Sequence, residues 1–245
     1  MIERFLRKSS FESMDDYRQN LEYIIPEEFN FAYDVMDAWA EEAPDKLALL
    51  WTNDKGEERR FTFGDLKKES DRVAAYLTSL GIGKGDMVML ILKRRYQFWT
   101  SIIALHKIGA VAIPATFLLT SKDIIYRCEM ASIKAIICCG DEEIVEHVNG
   151  AYPKCPTLEH RISIGPEIPE GWEDFETGIG TRAVEYKIDT CLRAELLPEE
   201  LHSTLAVLVV AVGQRMIDIG RGYSLHDFRA DARMVVTTES SFHLR

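Results

Sequence analysis

The chain has 245 residues, of which 47% are hydrophobic, and its formal net charge is −11 at pH 7. This length and hydrophobic content are sufficient for one large domain or two small ones with a proper core. The negative charge argues against a broad basic surface for nucleic acid or an anionic membrane, although a local anion site needs only a few donors.

Two features of the sequence bear on the cellular compartment. The first twenty residues contain no apolar stretch of the kind found in secretory signals, and the longest apolar run, at residues 205–212, is too short to cross a bilayer. The five cysteines form no CxxC pair, and an odd number without a secretory signal indicates reduced thiols. We therefore expect a cytoplasmic protein without a membrane span.

The cysteines and histidines predict neither a metal site nor a catalytic residue. Cys138 and Cys139 end the apolar segment KAIICC, so we expect them to be small buried residues. His106, His147 and His160 do not stand at a spacing from the cysteines that is typical of metal ligands.

Hydrophobic periodicity divides the first eighty residues into a helical or irregular lead-in, a helix, a hairpin and a second helix. Apolar residues at helical spacing predict the first helix, which ends at Ala43 because the residue before Pro44 is pushed out of the helical region. Residues 46–63 read as a β-hairpin around an Asn-Asp-Lys-Gly turn. Residues 64–80 then form an amphipathic pattern.

Apolar runs alternate with helical patterns in the next part of the chain. The strands are MVMLIL, VAIPA, KAIICC and RISIG, and the helices between them cover about 96–107, 122–130 and 142–148. Continuous apolar strands that alternate with helices predict an α/β fold, a doubly wound and mainly parallel sheet covered on both faces. We place this domain at residues 29–165.

The glycine-rich segment GIGKGD at residues 81–86 is not interpreted as a phosphate loop. Phosphate loops run from a strand into a helix, whose N-terminal amides meet the anion, whereas this segment leaves a helix and enters a strand. Gly81 stands where a helix C-terminal residue adopts a positive φ, so we expect a structural role for it.

Ligands of parallel sheets bind beyond the C-terminal ends of the strands. Lys93, Arg94 and Arg95 follow the first strand of the sheet. Cations are unfavourable at the start of a helix, so the cluster either serves an anionic partner or is simply a solvated helix entrance. Thr116 and Phe117 follow the next strand, where they either line a pocket or turn the chain.

Acidic residues follow the third strand of the sheet. Asp141 and Glu142 suit the first turn of the next helix, and capping explains both of them.

Several segments together resemble a known family. They are FNFAYDVMDAWAEEAPDKLALLW, FTFGDL, GIGKGDMVMLIL and ALHKIGAVAIPATFLLTSKDIIYR, followed by the weaker GDEEIVEHVNGAYPKCPTLEHRISIG and GWEDFETGI. Their order and spacing resemble the N-terminal part of AMP-forming acyl-CoA synthetases, in the adenylate-forming superfamily, closest to the medium-chain acyl-CoA and acetyl-CoA branch. The resemblance covers roughly residues 29–179.

The resemblance implies a fold, a reaction and a set of substrates. The intact family uses ATP with Mg²⁺ and a carboxylate to form an acyl-adenylate and pyrophosphate, and CoA then displaces AMP, as in fatty acid metabolism. Lys93, Arg94, Arg95, Thr116 and Phe117 stand at the C-terminal ends of strands, and in such a family they are candidates for the substrate or CoA side of the site. No nucleic-acid partner is implied.

The last part of the sequence departs from the family. The family's Ser/Thr/Gly loop with its Pro-Lys ending has no match in residues 181–245, which contain 1 Lys and 7 Arg. We divide the chain into a lead-in at 1–28, the α/β subdomain at 29–180 and an atypical, irregular tail at 181–245. Our hypothesis is that this tail is out of frame or fused; a divergent domain end is the alternative. We expect this chain to be inactive alone, with a non-catalytic α/β binding module as the alternative function.

Overall fold

The computed structural model describes residues 2–26, 28–140 and 142–180. The sequence predictions for 181–245, for Asp141 and for Cys191 lie outside the described residues. Within the described part, no helix is both long enough and apolar enough to cross a bilayer.

The N-terminal lead-in contains two short helical pieces. A 3-10 turn covers Ile2–Arg4 and helix α1 covers Met14–Asn20. The Ser13 hydroxyl accepts a hydrogen bond from the Asp16 amide at 3.0 Å and so caps α1. An isolated antiparallel bridge between Leu6 and Tyr23 holds the two sides of the lead-in together.

The helix predicted before Pro44 begins with a π-helical segment rather than with α-helix. The π-helical segment covers Ala32–Asp37 and continues directly into helix α2, Ala38–Glu42, which ends before the proline as expected. The wider turn changes which residues face inward, and Asp37 becomes buried at 6% exposure.

The predicted hairpin is confirmed. Strands β1, Leu47–Thr52, and β2, Glu58–Thr62, pair antiparallel around a turn in which Gly56 has a φ of +79°. Helix α3, Phe63–Ser79, starts with a reciprocal capping box between Thr62 and Asp65.

The role predicted for Gly81 is also confirmed. Gly81 has a φ of +77° and directly follows Leu80, the C-cap residue of α3. The Ile82 amide donates to the Leu77 carbonyl at 3.1 Å and the Gly81 amide donates to the Thr78 carbonyl at 2.9 Å. These two bonds form the Schellman motif that ends a helix, so GIGKGD is a helix terminus and not an anion loop.

A five-stranded sheet, parallel throughout, forms the centre of the molecule, as the alternating pattern predicted. Its strands, in chain order, are β3 Met87–Ile91, β4 Val111–Pro114, β5 Ile133–Cys139, β6 His160–Ile164 and β7 Glu173–Asp174. Their spatial order is β4-β3-β5-β6-β7. The helices that accompany them are α4 Gln97–Lys107, α5 Ser121–Ala131, α6 Ile144–Ala151 and α7 Phe175–Gly180, with a 3-10 turn at Tyr152–Lys154.

Helices cover both faces of this sheet, which confirms the doubly wound arrangement. On one face, α3, α4 and α7 pack with Val88, Leu90 and Ile137 in one apolar cluster. On the other face, α5 and α6 pack with Met89 and Ile136. A third cluster joins the hairpin, α2 and the π-helical segment to α3 and α4.

The cysteine prediction is confirmed and the capping prediction for Glu142 is wrong. Cys138 and Cys139 are buried thiols that form no disulfide with another described residue, and the same holds for Cys128 and Cys155. Helix α6 begins at Ile144, and its N-cap position is held by Glu143, whose side chain makes no capping bond. Glu142 therefore lies ahead of the helix, where its carboxylate is free to contact another loop.

Candidate functional site

The sheet reverses its direction of growth at β3. This strand comes first in the chain, and the chain then places β4 on one side of it and β5 on the other. In open parallel sheets, ligands bind in the crevice that forms outside the C-terminal strand ends at such a switch point. The crevice between the ends of β3 and β5 is therefore the candidate site.

Lys93 is the residue that joins the loops at this crevice. Its backbone has a φ of +48°, which is uncommon for a residue other than glycine. The ammonium lies 2.5 Å from the Glu142 carboxylate, beyond β5, and 4.4 Å from the centroid of the Phe117 ring, beyond β4. The Lys93 side chain thus joins its own loop, after β3, to the loops that follow β4 and β5.

Arg94 turns away from the crevice and toward the hairpin. Its guanidinium donates to the Asp54 carboxylate at 2.9 Å, and the two side chains are 82% and 83% exposed. Its carbonyl accepts a hydrogen bond from the Trp51 indole at 2.6 Å. Arg94 therefore ties β1 to the loop after β3 and keeps its charge in solvent.

Arg95 points back toward the sheet. Its Nε donates to the Cys139 sulfur at 3.2 Å, at the last residue of β5, and the side chain is half-buried. The three consecutive basic residues consequently face three directions, and only Lys93 and Arg95 contact the β5 side of the crevice.

Thr116 and Phe117 follow β4 and differ in role. The Thr116 hydroxyl accepts a hydrogen bond from the Leu118 amide at 3.3 Å, which is a turn contact. The Phe117 ring is 44% exposed and lies against the Lys93 ammonium. Of the two alternatives that the sequence left open, Thr116 fits the turn and Phe117 fits the wall of the crevice.

Gly140 fixes the end of β5 beside the crevice. Its amide donates to the Ile164 carbonyl at 3.0 Å. A β-carbon here would overlap the Ser163 hydroxyl oxygen and the Glu167 carbonyl oxygen, which are themselves joined by a 3.0 Å hydrogen bond. Only glycine allows the loop after β6 to approach β5 so closely.

Sequence reasoning did not single out Gln97 and Glu176, which lie at the start of α4 and α7. The Gln97 amide donates to the Glu176 carboxylate at 3.0 Å. Burial, and then the negative charge of Glu176, raise the pKa of the neighbouring Tyr96 phenol above its ordinary value. Tyr96 therefore stays neutral at physiological pH and carries the Arg59 guanidinium over its ring at 4.3 Å.

The geometry suits anion binding better than metal binding. Among the described residues, no group of three or more His, Cys, Asp or Glu side chains is placed to hold a metal ion. A cavity of about 280 Å³ beside the start of α3 is lined by Pro44, Thr62, Gly64, Lys67 and Asp71, among others, and does not reach the strand ends. The switch point is the better candidate for a ligand site because the loops that follow β3, β4 and β5 meet there.

Comparison with known proteins gives the family. The sequence model of the family described as AMP-binding enzyme matches residues 36–199, which is more than half of the chain. The chain belongs to this family.

The curated proteins to which this chain is similar are acyl-CoA synthetases. The mitochondrial acyl-coenzyme A synthetase ACSM5 of Rattus norvegicus is 34% identical over 175 residues, which cover 69% of this chain and 29% of the relative. The mitochondrial acyl-coenzyme A synthetase ACSM4 of Mus musculus is 33% identical over 182 residues, covering 71% and 31%. The chain thus spans about a third of the length of its relatives, and its resemblance to the medium-chain acyl-CoA synthetases is confirmed.

Solved structures agree on the fold. The anthranilate CoA ligase AuaEII in complex with anthranoyl-AMP matches with a TM-score of 0.56 and 25% identity, covering 64% of this chain and 28% of that one. The acetoacetyl-CoA synthetase from Streptomyces lividans matches with a TM-score of 0.56 and 24% identity, covering 61% and 24%. The predicted adenylate-forming synthetase fold is therefore confirmed.

Proposed function

We propose that this chain forms the CoA-side part of an AMP-forming acid–CoA ligase. The whole reaction joins ATP, a carboxylate of the fatty acid class and CoA to give acyl-CoA, AMP and pyrophosphate. The observation that carries the proposal is the meeting of three strand-end loops at Lys93, in a chain whose family and relatives are acyl-CoA synthetases.

The proposed roles follow from charge and position. Lys93 and Arg95 are cations on the β5 side of the crevice, and Arg94 is an exposed cation beside them; together they would bind the phosphate groups of CoA. Phe117 offers an exposed aromatic face beside Lys93, which suits stacking of a planar base, and Thr116 holds the turn that presents this ring. No catalytic residue is assigned, since the proposed role is binding and orientation.

We propose further that the 245-residue chain shows no turnover when tested alone. Adenylate chemistry needs oriented donors at the phosphates, and residues 181–245 contain no Thr/Gly-rich loop with a Pro-Lys ending. The family match extends to residue 199, beyond the boundary that we propose at 180, so residues 200–245 are the part of the tail that lies outside the match. Charge stabilisation and substrate positioning supply most of a rate enhancement, so loss of both abolishes activity.

The use of ATP and Mg²⁺ is inferred from the family and not from the described side chains. The intact family uses both, but no group of three or more His, Cys, Asp or Glu side chains among the described residues is placed to hold a Mg²⁺ ion. A cytoplasmic location remains our proposal. The relatives above are named mitochondrial, so fluorescence imaging of a tagged chain in cells tests cytoplasm against mitochondrion.

A non-catalytic α/β binding module is the second candidate. The observation that favours it is the absence of the phosphate-loop motif from the sequence combined with a well-formed switch point. Such a module would bind an anion or CoA at the strand ends without converting it.

Two assays on the full chain test the inactivity and the CoA binding that we propose. Pyrophosphate exchange with a panel of carboxylates measures adenylation, and calorimetry with CoA and with ATP measures binding. We expect no exchange and weak CoA binding; measurable exchange would overturn the inactivity proposal. An Arg94→Ala/Arg95→Ala double variant should lose CoA affinity. The matched control, Arg7→Ala/Arg18→Ala, removes two exposed arginines from the lead-in and should not.

Unchanged CoA affinity in the Arg94→Ala/Arg95→Ala variant would remove the strand-end cluster as the proposed site.

A further inference from the structure

An ion pair spans the crevice at the switch point. Strands β3 and β5 are neighbours, with Ile91 opposite Cys138, so the residues that follow them emerge side by side. Lys93 lies two residues beyond β3 and Glu142 lies three residues beyond β5, and their charged atoms are 2.5 Å apart. The pair therefore joins the two loops between which a ligand of this fold would enter.

The Lys93–Glu142 contact is less exposed than the neighbouring Arg94–Asp54 ion pair. Each side chain is 31% exposed, and the ammonium also faces the Phe117 ring at 4.4 Å. The backbone of Lys93 has a φ of +48°, a conformation that persists in a residue other than glycine only where its surroundings hold it in place. In the Arg94–Asp54 pair, by contrast, both side chains are more than four-fifths exposed, so water screens their attraction.

The carboxylate of Glu142 changes what the crevice offers to an anion. An ammonium has three donors and no acceptor, and here one donor is used by Glu142 while the Phe117 ring covers another side. A phosphate that approaches Lys93 meets the negative charge of Glu142 within a few ångströms, and the two negative charges repel each other.

We propose that Glu142 is a built-in competitor for the phosphate ligand of this site. Glu142 holds Lys93 in an ion pair, and a phosphate-bearing ligand must displace the Glu142 carboxylate to bind the ammonium. The affinity of the wild-type chain for such ligands is therefore lower than Lys93, Arg94 and Arg95 alone would give. This inference rests on the proposed function, because it assigns to Lys93 the phosphate-binding role argued above. Glu142 is thus a residue that sets affinity without contacting the reacting atoms.

The test uses calorimetry on the full chain, with CoA and ATP as separate probes at one fixed ionic strength. Glu142→Gln keeps the shape of the side chain and removes its charge, and it should tighten CoA binding roughly three- to tenfold. One control makes the same charge change nearby. Glu143→Gln alters the exposed neighbour of Glu142 and should change the affinity by less than about twofold.

The variant Lys93→Met separates this inference from the proposed function. In the Glu142→Gln background it should abolish the gain, since the released ammonium is then absent. If Lys93→Met leaves CoA affinity unchanged in both backgrounds, the proposed site itself is wrong. If Lys93→Met weakens binding but Glu142→Gln equals Glu143→Gln, the site stands and the competitor role is overturned. If Glu142→Gln tightens the binding of ATP but not that of CoA, the competitor role is overturned for CoA and is assigned to the nucleotide.

Discussion

Lys107 has no solvent-exposed side-chain surface, and its ammonium lies 2.6 Å from the Asp71 carboxylate of α3. A second carboxylate, that of Asp37 in the π-helical segment, lies 2.8 Å from the same ammonium. Lys67 contacts Asp37 in turn at 2.8 Å, and burial lowers the pKa of its ammonium less than these carboxylates raise it. The four side chains join the N-terminal segment to α3 and α4, two of the three helices that cover one face of the sheet.

Removal of the Lys107 charge should destabilise the fold strongly. In a Lys107→Met variant, Asp37 and Asp71 keep their charges but lose their shared buried partner, which costs about 3–5 kcal/mol of unfolding free energy. Urea denaturation measures the loss. Lys68→Met is the matched control because Lys68 is exposed one residue from Lys67, and it should stay within about 0.5 kcal/mol of wild type. Equal stabilities of the two variants would show that the buried network contributes nothing.

Substitution of Gly140 by alanine should disrupt the end of β5. The new methyl group would overlap Ser163 and the Glu167 carbonyl, and backbone cannot yield as a flexible side chain can. We expect a loss of about 1–3 kcal/mol, in the range of an overpacked core site. Gly83→Ala is the control, since its added methyl group would meet nothing within 4 Å and its φ is not positive. Thermal unfolding of both variants checks the difference, and a neutral Gly140→Ala variant would contradict the close approach.

His106 should make stability depend on pH below neutrality. Burial lowers the pKa of its imidazole below the ordinary value of 6.5, and its Nδ1 has no hydrogen-bond partner among the described residues. Below pH 6.5 the unfolded chain binds a proton that the folded chain does not, so stability is complete above that pH and falls as pH decreases toward the folded pKa.

A His106→Gln variant should lose this part of the pH dependence. Urea unfolding at pH 7.5 and at pH 5.5 would measure it as a smaller difference between the two conditions than in wild type. His147→Gln, which removes an exposed imidazole from α6, is the control. An unchanged pH slope in His106→Gln would assign the dependence to other groups.

Arg161 should not be replaceable by lysine. Its guanidinium lies 3.8 Å from the Tyr152 ring centroid and 5.6 Å from that of Trp172, and it donates to Asn149 at 2.7 Å. A lysine keeps the charge but loses the planar stacking and the forked donors, which should cost about 1–2 kcal/mol. Arg60→Lys, at an exposed position on β2, is the control and should be neutral. Denaturant midpoints of the two variants give the comparison.

The sequence by itself determined the order of the elements and the family. Alternating apolar strands and helices predicted the doubly wound parallel sheet, and Gly81 was placed correctly because its helix-to-strand context is a local property of the chain. Proline, glycine and apolar periodicity determine the backbone conformation of the residues next to them. Their effects can therefore be predicted from a short stretch of sequence.

Only the tertiary structure decided which charges meet. The sequence predicts that Glu142 caps a helix, yet its carboxylate pairs with the ammonium of Lys93, 49 residues earlier in the chain. The π-helical segment before α2 was likewise unexpected, because Asp37 turns inward only where Lys107 lies opposite it, about 70 residues later in the chain. Strand order and long-range ion pairs arise from packing of distant segments, and local pattern carries no information about which distant partner a side chain will find.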